Sequence, residues 1–302
     1  MRRTDLALEA RELWRERTAS ALPPGAETET REEGGSTLEA LEVTSGEAAE
    51  ALGKGVGKYI TIFPEALLRR EEGAFEAAAA LLGRELRALL GVPEGASVLV
   101  AGLGNEAITP DSLGPRTLRH VLATRHLTAA LPETFGAFRR VAALATGVLG
   151  NTGMESAELV KAVAEKLRPD AVIAVDALCA REWKRLVTTV QLSTAGICPG
   201  SGVGNERPEI TEAHLGVPVI SIGVPTVVDA ATLAADVVRD YAGTGVSPEE
   251  LREAFGKTEL NFYVTPKETD QVISRLGALI GYAVNLAWND DLSYEDMLEL
   301  MG

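Results

Sequence analysis

Apolar residues along the chain fall into two periods. Residues 38–44 alternate apolar and polar, and 59–63, 97–101, 141–146, 171–176, 187–192 and 217–222 are short runs rich in Val, Ile, Leu and Ala. These predict strands, the fully apolar runs being of the kind buried on both faces of a sheet. Apolar positions spaced three and four apart predict helices over 75–90, 156–167, 229–241 and 270–288. Residues 5–17 predict another, with Leu6, Ala10, Leu13 and Trp14 on one stripe and Thr4 or Asp5 as cap. Strands that alternate with helices argue for an α/β fold, a layered sheet with helices on both faces. Residues 21–35 are polar and interrupted by Pro23-Pro24-Gly25 and Gly34-Gly35, which reads as a mobile loop. Gly53, Gly55 and Gly57 mark a turn-rich connection, and no internal repeat is present.

Two of the predicted strands run towards carboxylates. Residues 97–101 lead through Gly102-Leu103-Gly104-Asn105 into Thr109-Pro110-Asp111-Ser112, and 171–175 lead directly into Asp176. Open α/β sheets hold their chemistry beyond the carboxyl ends of strands, so Asp111 and Asp176 are the candidates for catalysis. Each also has a structural reading. Thr109 as N-cap, Pro110 at the first helical position and Asp111 in the first turn would suit a helix start, and Asp176 could cap a helix over 177–185. A helix start would lower the pKa of Asp111, whereas a second carboxylate beside it would be pushed upward, the two then sharing one proton near neutrality.

The 302-residue chain can bury a large core, and 46% hydrophobic with 24% charged residues is ordinary for a globular protein. A net charge of −15 argues against direct nucleic-acid binding, which requires clustered Lys and Arg. No apolar run approaches membrane-spanning length, and the charged start lacks a secretory apolar region, so a cytoplasmic location is expected.

Two cysteines, Cys179 and Cys198, are too few for a disulfide framework, and His120, His126 and His214 form no metal-ligand pattern. Neither a metal nor another cofactor is expected. Cys179 has no histidine near it in sequence and reads as a packed thiol. Gly102-Leu103-Gly104-Asn105-Glu106-Ala107 fits a dinucleotide fingerprint, but Pro110 and Pro115 interrupt the following helix and no acidic residue ends the next strand at the required distance. A tight turn is the simpler reading of Gly102 and Gly104. Gly200-Ser201-Gly202-Val203-Gly204-Asn205 is only loosely a nucleophile elbow; its glycines suit close approach of a main chain.

Taken together, several segments resemble the germination protease family, spore endopeptidases that degrade small acid-soluble spore proteins. They include Arg3-Thr4-Asp5-Leu6-Ala7-Leu8-Glu9-Ala10, Gly102-Leu103-Gly104-Asn105 through Thr109-Pro110-Asp111-Ser112-Leu113-Gly114-Pro115, and Asp176-Ala177-Leu178-Cys179-Ala180-Arg181. Pro199-Gly200-Ser201-Gly202-Val203-Gly204-Asn205, Gly223-Val224-Pro225-Thr226-Val227-Val228-Asp229-Ala230 and Val264-Thr265-Pro266-Lys267-Glu268 follow in order. The resemblance implies an atypical aspartic endopeptidase, cytoplasmic in the developing spore core, with a fold similar to hydrogenase maturation proteases. It implies a homotetramer acting on small acid-soluble spore proteins, with Asp111 and Asp176 as the catalytic pair. It further implies a zymogen that cuts itself between Asp5 and Leu6, although the five-residue leader seen here is short for an inhibitory segment. On this basis residues 1–302 are expected to form one peptidase domain with a mobile segment over about 1–35 and surface insertions. Two other readings remain open: a metal-dependent endopeptidase of hydrogenase-maturation type, with Asp111, Asp176 and His214 as ligands, and a nucleotide-binding module using Gly102 and Gly104.

Overall fold

A computed structural model describes residues 4–93, 95–136, 138–200, 207–242, 247, 250–251, 253, 262–289 and 294–301. Among them nine strands form one mixed sheet: β1 (Ala26–Glu33), β2 (Ser36–Val43), β3 (Gly57–Phe63), β4 (Val98–Leu103), β5 (Val141–Gly147), β6 (Ala171–Ala180), β7 (Val190–Ser193), β8 (Val219–Asp229) and β9 (Tyr263–Val264). Their order is β1-β2-β3-β7-β8-β6-β4-β5, with β9 paired to β8. The β5-β4-β6-β8 segment is parallel, and everything from β8 through β7 to β1 is antiparallel.

The apolar runs of β4 and β6 are buried on both faces, as parallel strands between helices require. On one face Val98, Val100, Ile173, Val175, Ile220 and Ile222 meet helices α3 (Ala74–Leu90) and α7 (Thr269–Trp288). On the other, Leu99, Ala101, Val172, Ala174 and Val219 meet helix α5 (Ser156–Leu167), which presents Ala157, Val160 and Ala164. Helices therefore cover both faces. The remaining helices that matter here are α1 (Ala7–Thr18), α2 (Gly46–Leu52), α4 (Leu113–Leu118), α6 (Ala230–Ala242) and α8 (Tyr294–Met301).

Two segments depart from the sequence-based expectation. Residues 26–33, expected as loop, form β1, an eight-residue ladder against β2 closed by Gly34-Gly35, both at positive φ as a tight hairpin turn demands. The strand escaped notice because it is solvent-exposed, so no apolar period marks it. Residues 177–180, expected to open a helix, continue β6; Ala177 lies opposite Val224 and Ala180 opposite Val228, with a bulge between Leu178 and Cys179. Pairing with the long β8 overrides the local preference, and Asp176 lies inside the strand instead of at its end.

Helix α1 begins at Ala7, with Leu6 at its N-cap and no side chain of its own first turn capping it. Gln191 of β7 substitutes: its Oε1 accepts the Ala7 N–H at 2.7 Å. Glu9, in the same turn, is fully buried and accepts the backbone N–H groups of Arg181 at 2.7 Å and Glu182 at 2.9 Å, so the helix is tied to the end of β6.

Trp288 closes the base of the core at 1% exposure, its indole N–H donating to the Ala96 carbonyl at 3.1 Å. Trp288→Ala should lower unfolding free energy by about 3–5 kcal/mol, measured by urea denaturation.

Candidate active site

Pairing of β4 with β6 ends at Gly102 opposite Val175, one residue before Asp176. The chain leaving β4 turns through Gly104, at φ +103°, and returns as a short 3₁₀ turn, Thr109–Asp111, ahead of α4. This turn lies directly on the strand. A Cβ on Gly104 would stand 2.0 Å from the Asp111 carbonyl oxygen, and one on Gly114 would stand 2.4 Å from the backbone of Leu103. The glycines thus admit a close backbone approach that seats Asp111 over the end of β4, the turn reading of Gly102 and Gly104.

The two aspartates converge from elements 65 residues apart in sequence, and they interact electrostatically. Asp111 Oδ2 accepts the Asn105 N–H at 2.7 Å, and Asp176 Oδ1 accepts the Ala177 N–H at 2.9 Å. Asp176 is 6% exposed, and Asp111 is partly buried. Burial pushes the Asp176 carboxyl well above the usual range, and the Asp111 charge beside it adds to this; the Ala177 N–H and Arg207 oppose the shift. Asp111 is also raised by burial, against the pull of the Asn105 N–H and of Arg207. The lowering expected for Asp111 from a helix start is therefore overturned: the 3₁₀ turn is too short to act as a helix terminus, and desolvation outweighs it.

Two adjoining clefts meet at Asp176, and Asp111 lines the first of them. One, of ≈ 410 Å³, contains Asp111, Asp176, Cys179, Pro199, Arg207 and Tyr263 in its wall. The second, of ≈ 530 Å³, runs past Lys54, Tyr59, Gln191, Cys198 and Glu209. Both share Asp5, Asp176, Leu178, Gly200 and Arg207. Burial pushes the Tyr59 hydroxyl up to about 12, so it stays a phenol, donating to the Gly55 carbonyl at 2.8 Å.

The segment that precedes α1 occupies this junction. Asp5 N–H donates to the Cys179 carbonyl at 3.0 Å, while an Asp5 carboxylate oxygen accepts the Cys179 N–H at 2.8 Å. Lys54 Nζ donates to the Thr4 carbonyl at 2.9 Å, and Gln191 Nε2 to the Asp5 carbonyl at 3.3 Å. Burial lowers the Lys54 pKa, with the Asp5 and Glu9 carboxylates acting against it. Leu6 is fully buried among Leu178, Ala180, Leu186 and Val228. Residues 4–6 are thus tied to β6 through Asp5 and Cys179, and Asp5 shares both cleft walls with Asp176.

Other expectations fall away from the site. His214 is exposed on the short helix Glu212–Leu215, with its Nδ1 3.3 Å from Thr211 Oγ1, and is in neither cleft wall. Among the described residues no three His, Cys, Asp or Glu side chains are grouped so as to hold a metal ion. Cys179 is buried, in keeping with a packed thiol. Of the glycine-rich run, Gly200 is in the wall of both clefts, and Ser201, Gly202, Val203, Gly204 and Asn205 lie outside the described residues. Lys54, Gln191 and Arg207 escaped the sequence reading. Arg207 alone carried a signal, as a cation directly following a glycine-rich run in a strongly acidic chain.

The chain is matched over residues 5–246 by a family model described as Germination protease. It is 41% identical over 321 residues to the Germination protease of Caldanaerobacter subterraneus subsp. tengcongensis, covering 99% of this chain and 98% of that one. It is 41% identical to the Germination protease of Priestia megaterium, covering 97% and 95%, and 35% identical to one from Clostridium perfringens, covering 98% and 97%. The chain belongs to the germination protease family. It is accordingly a peptidase. No helix among the described residues is long and apolar enough to cross a membrane.

Because the folded state raises the Asp176 pKa, ionisation of this carboxyl opposes folding: stability is fully present below the ordinary aspartate pKa of ~4 and declines as pH rises toward the folded-state value. Asp176→Asn should therefore unfold at a higher temperature than the unsubstituted protein at pH 7.5. Calorimetry should show that advantage narrowing as pH falls toward ~4.

Proposed function

We propose that this germination protease is an endopeptidase that degrades small acid-soluble spore proteins during germination, with Asp111 and Asp176 as a water-activating pair. The observation that carries the mechanism is the convergence of two partly desolvated carboxylates, each holding a main-chain N–H, at the junction of two clefts. Two neighbouring carboxyls in such surroundings hold one proton between them. Asp176 is the more buried, and the Asp111 charge raises it further, so it carries the proton and hydrogen-bonds the carbonyl oxygen of the scissile peptide. Asp111, less buried, is the base: it takes a proton from water as the oxygen bonds to the carbonyl carbon, while Asp176 gives its proton to the carbonyl oxygen. On collapse of the tetrahedral diol, the proton on Asp111 passes to the departing amine nitrogen and Asp176 recovers its own.

In this reading residues 1–302 are one peptidase domain, working as a homotetramer in the cytoplasm of the developing spore core. The Asp5–Leu6 bond is its self-cleavage site. Support for the latter is the seat of residues 4–6, with Lys54 and Gln191 holding successive carbonyls beside Asp176. A fold like that of hydrogenase maturation proteases is part of the proposal, without a metal.

Asp111→Asn and Asp176→Asn should each lower cleavage of a small acid-soluble spore protein by at least ~10²-fold, followed by mass measurement of fragments, with the melting transition retained. Substantial activity in both variants would defeat the pair as the working centre. Intact-mass analysis of the unsubstituted protein during incubation should reveal a species beginning at Leu6 that the Asp176→Asn variant fails to produce.

A further inference from the structure

Asp5 and Asp176 stand in both cleft walls and Asp111 in the first, and one guanidinium is present among the described residues of both walls, that of Arg207. Its backbone is firmly held. Ile197 and Ile210 exchange hydrogen bonds at 3.0 and 2.8 Å, closing the excursion between them, and the Cys198 thiol donates to the Arg207 carbonyl at 3.2 Å. Its side chain is held as well: Nη1 lies 3.4 Å from Glu155 Oε2, with both side chains largely buried. Glu155 is fixed in turn as the N-cap of α5, within a reciprocal capping box with Glu158. The cation therefore stands on a built support, paired with Glu155 and set in the same cleft wall as Asp111 and Asp176, both of which feel its charge.

Resting on the reading of Asp111 and Asp176 as the working pair, we propose that Arg207 is its positioning cation, keeping one of the two carboxylates ionised in the desolvated cleft while Glu155 holds the guanidinium in place. The physical need is direct. Two buried carboxyls without a counter-charge favour the doubly protonated state, which has no base to take a proton from water. The charged groups that face it are Asp111 from the 3₁₀ turn, Asp176 from β6, Asp5 from the segment before α1, Glu155 from the cap of α5, and Glu209 with Lys54 in the second cleft wall. Acidic groups predominate, so removing Arg207 leaves the pair in a more negative field, which favours the proton.

The test compares the full-length protein with Arg207→Gln and Arg207→Lys by two readouts. In the first, protein labelled with carbon-13 at aspartate carboxyls is titrated by NMR, with Asp111→Asn and Asp176→Asn used for assignment. In the second, kcat and KM for a small acid-soluble spore protein are measured against pH. Arg207→Gln should move the carboxyl titration of the pair to higher pH. It should also lower kcat on the acidic side by roughly tenfold, converging on the unsubstituted protein in alkali, and Arg207→Lys should recover most of the loss. An unmoved carboxyl titration overturns the proposal, as does a rise in KM with the acidic limb of kcat in place. If the unsubstituted protein cleaves no spore protein while the titration moves as described, the cation's role stands and the endopeptidase reading fails.

Discussion

Desolvation of Asp176 is the constraint around which this structure is organised. A carboxyl inside an otherwise apolar strand, buried on both sides of its sheet, is tolerated only where neighbouring groups compensate it. Here β4 stops pairing one residue earlier, which opens space over Asp176, and the chain that leaves β4 brings Asp111 back into that space. Small residues make the return possible: Gly102, Gly104 and Gly114 let two backbones come together where any side chain would collide. The same packing that stabilises the sheet therefore sets the placement and environment of the two carboxyl groups.

The amino-terminal segment is a second dependent feature. Its contacts are nearly all main-chain or main-chain-to-side-chain: Asp5 against Cys179, Thr4 against Lys54, and Asp5 and Ala7 against Gln191. Apart from the Asp5 carboxylate, which accepts the Cys179 N–H, these are contacts that any extended peptide could make. Glu9 then fixes α1 to the residues immediately beyond β6, so entry of the segment into the junction and docking of the helix are mechanically one event.

Much of this was legible in the residues. The apolar runs of β4 and β6 announced a buried parallel centre, and the helices over 75–90, 156–167 and 270–288 appear within a residue of their expected starts because their apolar stripes face a large core. Asp111 and Asp176 stood out because each followed such a run. What escaped were features without a local period. Strand β1 buries neither face, so Glu and Thr alternate without apolar contrast. Residues 177–180 are helix-compatible by composition and become strand only because β8 is long enough to pair with them. Lys54, Gln191 and Arg207 reach the site from three separate places in the chain, and only Arg207, close behind the glycine-rich run, has neighbours that hint at it.

The adjoining clefts carry a consequence of their own. On the proposed reading, clefts that adjoin at Asp176 take a substrate as an extended thread, several residues long and without helix or sheet partners of its own. A well-folded protein must first pay the free energy of local melting to offer such a stretch, whereas a chain already loose in solution enters at no such cost. On that reading, a preference for loosely structured chains follows from the shape of the clefts, before any side chain of the substrate is read.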